Sequence, residues 1–219
     1  YLADFFTFLS TNASWVPALL IGGFLPIMVM FGIHNGVAPL GVMQMSNLGY
    51  DSIFGPGCVC SNMAQATASF VVALRTKDKK VKQTAASGAI TAYMGITEPA
   101  LYGVNLPKKY PLISSMIGGG LGGLYAGITH THRFATGSSG LPAVLPYIGD
   151  NTMSFFINII IAIVISIVAT AILTYFLSLK FEKTEEENEA APTVQVKQGG
   201  TTICKVPVKG NIKPIEQAD

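Results

Sequence analysis

From Tyr1 to Leu74 the chain contains no lysine or arginine, and Asp4 and Asp51 are its only acids there. Charged residues make up 12% of the whole chain, where a soluble domain carries about a quarter. A shortage on this scale leaves too little charge to solvate a globular surface, and it argues against a soluble protein. Cysteine is scarce as well. Cys58, Cys60 and Cys204 are too few and too scattered for a disulfide framework, and the C-x-C spacing of the first two is neither a zinc nor a thioredoxin spacing. They are read as small packed residues. No basic block is interleaved with aromatics, so a nucleic-acid partner is not expected, and the net charge of +2 adds little. The chain opens at Tyr1 with no positively charged n-region, so it shows no signal peptide and reads as an excised fragment.

What is present is long apolar sequence. Trp15 to Phe31 is a 17-residue apolar run bent by Pro17, Pro26 and the Gly22-Gly23 pair. It is just long enough for a bilayer core of about 30 Å. Phe54 to Leu74 is a second run, with polar Asn62 and Gln65 inside it. Residues 84–106 form a third, broken around Thr97-Glu98-Pro99, and Pro111 to Ile128 a glycine-rich fourth. Ser154 to Leu179 is the longest and ends at Lys180. Gly118/Gly122, Gly119/Gly123 and Gly123/Gly127 have the G-x-x-x-G spacing of close helix packing. A phosphate-binding loop is not expected there, because no Lys-Ser/Thr follows.

The basic residues suggest an orientation. Arg75 to Lys82, Lys108-Lys109 and Lys180-Lys183 form three clusters, all cytoplasmic by the positive-inside rule. A single crossing by residues 84–106 would separate the first two clusters. A re-entrant hairpin with its tip near Thr97-Glu98-Pro99 keeps them on one side, and 111–128 and 154–179 then cross out and back. The expected fold is therefore an all-α integral membrane protein of transmembrane helices plus a re-entrant hairpin, over residues 1–183. Residues 184–200, acidic and then rich in Pro, Gln and Gly, read as a disordered cytoplasmic linker. Residues 201–219 alternate like β-strands and read as the truncated start of a soluble domain.

Glu98 is the only acid between Asp78 and Asp150. A carboxylate at membrane depth costs a few kcal/mol unless paired or hydrated, so it is a functional candidate by default. Pro99 rejects a regular helix before it, Gly95 allows a tight backbone, and Thr97 has the chemistry to cap a helix starting at Pro99. His34 and Asn35 lie in "MFGIHNGVAPLG", framed by Gly32 and Pro39, and read as polar chemistry on a flexible turn. Asn62 and Gln65 share a helical face, available to a ligand or to another helix. Tyr93 and Tyr102 flank Glu98, where an aromatic face suits the C–H face of a sugar. His130, His132 and Arg133 mark a polar turn or cavity rim. The H-x-H pair has only Asp150 near it in sequence, too few ligands for a metal, and no cofactor is implied. A mid-membrane acid on a broken element also fits an ion-coupled secondary transporter, and a solvated Glu98 would fit a non-transporting scaffold.

At "GITEPALYGVNLP" the chain resembles the sugar-translocating IIC domain of the bacterial phosphotransferase system, in its glucose superfamily. "ASGAITAYMGITEPALYGV" is most similar to the β-glucoside branch, whose relatives take sucrose, trehalose or N-acetylmuramate, and "GIHNGVAPLG" resembles the family's His-bearing turn. The resemblance covers roughly residues 15–182, the C-terminal half of a IIC domain. "VPVKGNIKPIEQAD" resembles the opening of a glucose-type IIA domain, which implies a parent ordered IIB, IIC, IIA. The resemblance implies that Glu98 accepts bonds from sugar hydroxyls, that His34 assists, and that a re-entrant element carries Glu98 and moves against a dimeric scaffold. Asn35, Thr97, Asn62 and Tyr102 complete the expected sugar-binding set, with Glu98 and His34 as the catalytic candidates. The sugar's 6-hydroxyl would attack a phosphocysteine on IIB. No IIB signature surrounds Cys58, Cys60 or Cys204, so none of them inherits that role. The implied partners are the sugar, IIB and IIA domains, membrane lipid and a second copy of the parent.

Overall fold

The computed structural model describes Phe8, Ala13 and residues 15–149 and 153–189, with side chains as far as Phe181. The β-like segment at 201–219 and most of the expected linker lie outside the described residues. Helix α1 is Val16–Met30 and starts on Pro17, where a missing N–H costs nothing. Gly32, at φ 70°, turns the chain into α2, His34–Leu48. This corrects the flexible turn expected at His34: only residues 31–33 are turn, and His34, Asn35, Gly36 and Pro39 are helical. Val37, Leu40 and Gly41 are the buried residues of α2, and their i, i+3, i+4 spacing is the helical signal. Val37 and Leu40 pack on Ile21 and Leu25 of α1.

Helix α3, Gly55–Arg75, is the centre of the fold, and every residue from Gly55 to Ser69 is buried. A helix apolar or small all round belongs inside. Helix α4 is Lys79–Tyr93, with Asp78 capping its first turn through bonds of 2.7 Å from the Lys80 N–H and 3.4 Å from the Val81 N–H. Residues 98–108 form a short, interrupted helix, α5: Glu98–Ala100, a π-helical turn at Leu101–Asn105, then Leu106–Lys108. Helix α6 is Tyr110–Ile128, a 3-10 helix follows at Leu141–Tyr147, and α7 is Ser154–Glu189. Its last residues carry helix into the segment assigned above to the linker.

Glycine spacing on α6 sets the packing. Gly119, Gly123 and Gly127 lie against Gly22, Ala18 and Trp15, so α1 and α6 run antiparallel in close contact. Gly118 and Gly122 face Thr170 and Ser166 of α7. The overlapping G-x-x-x-G pairs therefore serve two partners on two sides of one helix.

From Ser166 onward helix α7 is polar inside, whereas its outward face is apolar. Ser166, Thr170, Thr174 and Ser178, four residues apart, are completely buried, while Ile157, Val164, Val168, Ile172 and Phe176 are exposed. That pattern is stable only if the surroundings are apolar. Gly55–Arg75, Tyr110–Ile128 and Ser154–Phe181 are each long and apolar enough to cross a bilayer, and Val16–Met30 is a shorter apolar helix. The fold is that of an all-α, multi-pass membrane protein.

Candidate functional site

Residues 79–108 form a helical hairpin beside α3. Helix α4 runs antiparallel to α3, held by Ser69 Oγ donating to the Ala85 carbonyl (3.0 Å) and by a 2.9 Å bond between the hydroxyls of Thr67 and Tyr93. Tyr93 is thereby a packing residue of the hairpin. At 15 residues α4 is about 22 Å long, less than the roughly 30 Å of a bilayer core, and the chain turns back at residues 94–97. Gly95 makes that turn with φ 102°. The Ile96 N–H bonds to the Thr91 carbonyl at 2.9 Å, a six-to-one closure in which the residue before the donor adopts left-handed geometry.

A second non-helical segment meets this tip from the other end of α3. Ser138 Oγ donates to the Met94 carbonyl (3.1 Å) and Ser139 Oγ to the Gly95 carbonyl (3.4 Å). Asn62 Nδ2 donates to the Ser139 carbonyl at 3.0 Å. Asn62 lies seven residues past Gly55, about 10 Å along α3, so the meeting point is well inside the length of that helix. Irregular backbone at such depth needs its polar groups satisfied by protein, and the serines supply that for the tip. A side chain at Gly95 would come within 2.7 Å of the Gly140 backbone N, so both conformation and space demand glycine there.

Glu98 is the first residue after the tip, at the N-terminus of α5, and its side chain is exposed. No hydrogen bond or ion pair to it is found among the described residues. Tyr102, four residues on, is 48% exposed, so a carboxylate and an aromatic ring stand on one open face of the hairpin. The opposite face, Ala100, Leu101, Val104 and Asn105, is buried. Gly88 lets the two arms close, with space for Ala100 against it. Thr97 occupies the N-cap position, but its hydroxyl makes no cap bond. Its backbone is already helical and the residue is only 5% exposed, so the expected cap is not formed.

His34 and Asn35 stand at the start of α2. Asn35 is exposed, and the half-buried His34 has its Nδ1 buried without a hydrogen-bond partner among the described residues. No bond joins His34 to Glu98. Asn62 is 3% exposed, and its Nδ2 is committed to the tip loop. The open face thus brings together Glu98 and Tyr102, with Thr97 and Asn62 buried behind the tip and His34 and Asn35 on a separate element.

Two features escaped the sequence reading. Arg133 Nε bonds Asp51 Oδ2 at 2.9 Å, with side-chain exposures of 8% and 0%. The same carboxylate accepts the N–H groups of Ile53, Phe54 and Gly55 at 3.0, 2.9 and 3.0 Å, capping α3. Beside it, His132 packs among Tyr50, Phe134 and Phe155, its ring centre 4.3, 5.2 and 4.0 Å from theirs. This makes His132 part of an aromatic cluster. The second feature is Asn105, whose Nδ2 donates to the Gln65 carbonyl at 3.2 Å. The signals were there: one of only two acids before residue 75, and a proline two residues after Asn105.

The family model for the phosphotransferase system EIIC matches residues 2–120. The chain belongs to the phosphotransferase system EIIC family. It is 34% identical over 218 residues to a "PTS system beta-glucoside-specific EIIBCA component" of Bacillus subtilis, a match covering 99% of this chain and 34% of the relative. It is 33% identical over 159 residues to a sucrose-specific EIIBC component of the same organism, covering 71% of this chain and 34% of the relative. It is also 29% identical over 195 residues to an arbutin-, cellobiose- and salicin-specific EIIBC component of Escherichia coli, covering 87% of this chain and 39% of the relative. The EIIC chain thus spans about a third of the length of these curated relatives. No solved structure matches it significantly.

Proposed function

We propose that this chain is the sugar-binding part of a group-translocating permease that takes up a β-glucoside or a related glucoside. The sugar is delivered for phosphorylation at its 6-hydroxyl by a IIB phosphocysteine. The observation that carries this reading is the open face of the hairpin, where Glu98, without a partner among the described residues, stands beside Tyr102 in a chain of the EIIC family. An ionised carboxylate is a strong acceptor for sugar hydroxyls, and an aromatic face covers the C–H side of a pyranose. The names of the relatives support a glucoside. Phosphoryl transfer to a bound hydroxyl depends chiefly on positioning and charge stabilisation, which Glu98 and His34 would supply from two elements. Asn35, Thr97, Asn62 and Tyr102 shape the site. IIB and IIA domains are the partners, and the parent works as a homodimer in the lipid membrane.

Glu98→Gln in the full-length parent should express normally and lose most binding of a β-glucoside such as salicin. Uptake and phosphorylation near the unmodified level would overturn the proposal. Uptake of sugar that remains unphosphorylated in the cell would instead point to ion-coupled transport.

The orientation is a separate expectation. The hairpin base at Lys79 and Lys80 and the end of α7 face the cytoplasm, because the basic residues cluster there. A cysteine at Lys79 should resist an impermeant thiol reagent added outside intact cells and react once the membrane is opened. Labelling from outside would reverse the topology.

A further inference from the structure

The hairpin's return arm contains a π-turn, Leu101–Asn105, in which the Leu106 N–H reaches back five residues to the Leu101 carbonyl. Such turns are rare and often occur at functional sites. Its cause is legible in the sequence. Pro107 has no N–H to offer, and its ring collides with the carbonyl four residues back, that of Gly103. An extra residue in the preceding turn relieves the collision.

The extra residue also sorts the side chains. In an uninterrupted helix Glu98, Tyr102 and Asn105, spaced i, i+4, i+7, would share one face. Here Glu98 and Tyr102 are exposed while Asn105 is completely buried. One inserted residue shifts the register by about 100° at 3.6 residues per turn, which lets Asn105 turn toward α3 while Glu98 stays outside. Asn105 Nδ2 then holds the Gln65 carbonyl of α3 at 3.2 Å. Around this bond the polar groups are not fully satisfied. Asn105 Oδ1 and both polar atoms of the Gln65 side chain are buried without partners among the described residues, and unmet buried groups are costly. A buried polar contact of this kind, next to a distorted turn, fits a role other than stability.

We propose that Asn105 is a positioning residue for the sugar site: by pinning the π-turn to α3 it keeps Glu98 and Tyr102 on the open face. The proposal rests on Glu98 being the sugar-binding carboxylate. Without the pin, or without the proline that demands the extra residue, the arm can relax to a regular helix. Glu98 and Asn105 then compete for the same face, and the carboxylate turns toward α3.

The test is a double-mutant cycle in the full-length parent, with glucoside binding and thermal unfolding measured on the same samples. Asn105→Leu removes the donor at similar volume, and Pro107→Ala restores the backbone N–H. Each should weaken glucoside binding about tenfold in protein that still unfolds cooperatively. In a Glu98→Gln background the same changes should weaken binding by no more than about twofold, the limit of ordinary additivity. If Asn105→Leu fails to fold, Pro107→Ala decides. Normal affinity in the folded variants, or losses that add in full to that of Glu98→Gln, would overturn the positioning role. If Glu98→Gln itself binds sugar normally, the sugar-site reading falls first and takes this one with it.

Discussion

His34→Ala in the full-length parent is expected to slow phosphorylation of bound sugar far more than it weakens binding. Removing a general base typically costs about 10²- to 10⁴-fold in rate. Losing one hydrogen bond to a sugar hydroxyl costs about 0.5–1.5 kcal/mol, roughly tenfold or less. The two roles are therefore separable by magnitude. His34 has its Nδ1 buried and without a partner among the described residues, so contact with a substrate would use the other ring nitrogen. The check is to measure sugar affinity and the phosphorylation rate of bound sugar in the same variant. If affinity falls about as far as the rate, His34 is a binding residue and Glu98 becomes the better base.

Asp51→Ala should be the most destabilising single change in the described part of the chain. Asp51 is completely buried, and Arg133 is nearly so. Truncating the acid leaves a buried guanidinium without its partner, which costs about 3–5 kcal/mol. It also strips the acceptor from three backbone N–H groups at the start of α3, the helix on which the hairpin and the tip loop are mounted. Asp51→Asn should cost less, because an amide oxygen still accepts backbone N–H groups. Arg133→Met should also cost less, since the carboxylate keeps three backbone donors. Thermal unfolding of the detergent-solubilised parent orders the three variants. A melting temperature for Asp51→Ala within about 2 °C of the unmodified protein would show that the pair carries little stability, as many exposed pairs do.

The hairpin shows how far the charge pattern reaches. Lys79 to Lys82 and Lys108-Lys109 bracket a broken apolar stretch, and placing both clusters on one side suggested a reversal near Glu98; the structure turns at residues 94–97. The segment at His34 shows the limit. Gly, Asn and Pro suggested a turn there, yet Val37, Leu40 and Gly41 form a buried stripe. Local turn propensity is worth tenths of a kcal/mol to about 1 kcal/mol, while a buried aliphatic side chain contributes about 1.5–3 kcal/mol, so packing on α1 decided the helix.

The sequence by itself carried the membrane class, the apolar helices, the reversal near Glu98 and the residue types at its tip, because these rest on composition and run length along the chain. It also carried the family motif around Glu98. Tertiary structure alone decided which side each polar group faces. It set Glu98 and Tyr102 outward and Asn105 inward, buried Thr97, turned Asn62 to the loop behind the tip, and joined Asp51 to Arg133 across 82 positions. Those outcomes depend on a π-turn, a bridging serine loop and a buried ion pair. The ion pair and the serine loop are fixed by contacts between segments far apart in sequence, and the π-turn by a proline whose effect no apolar periodicity displays.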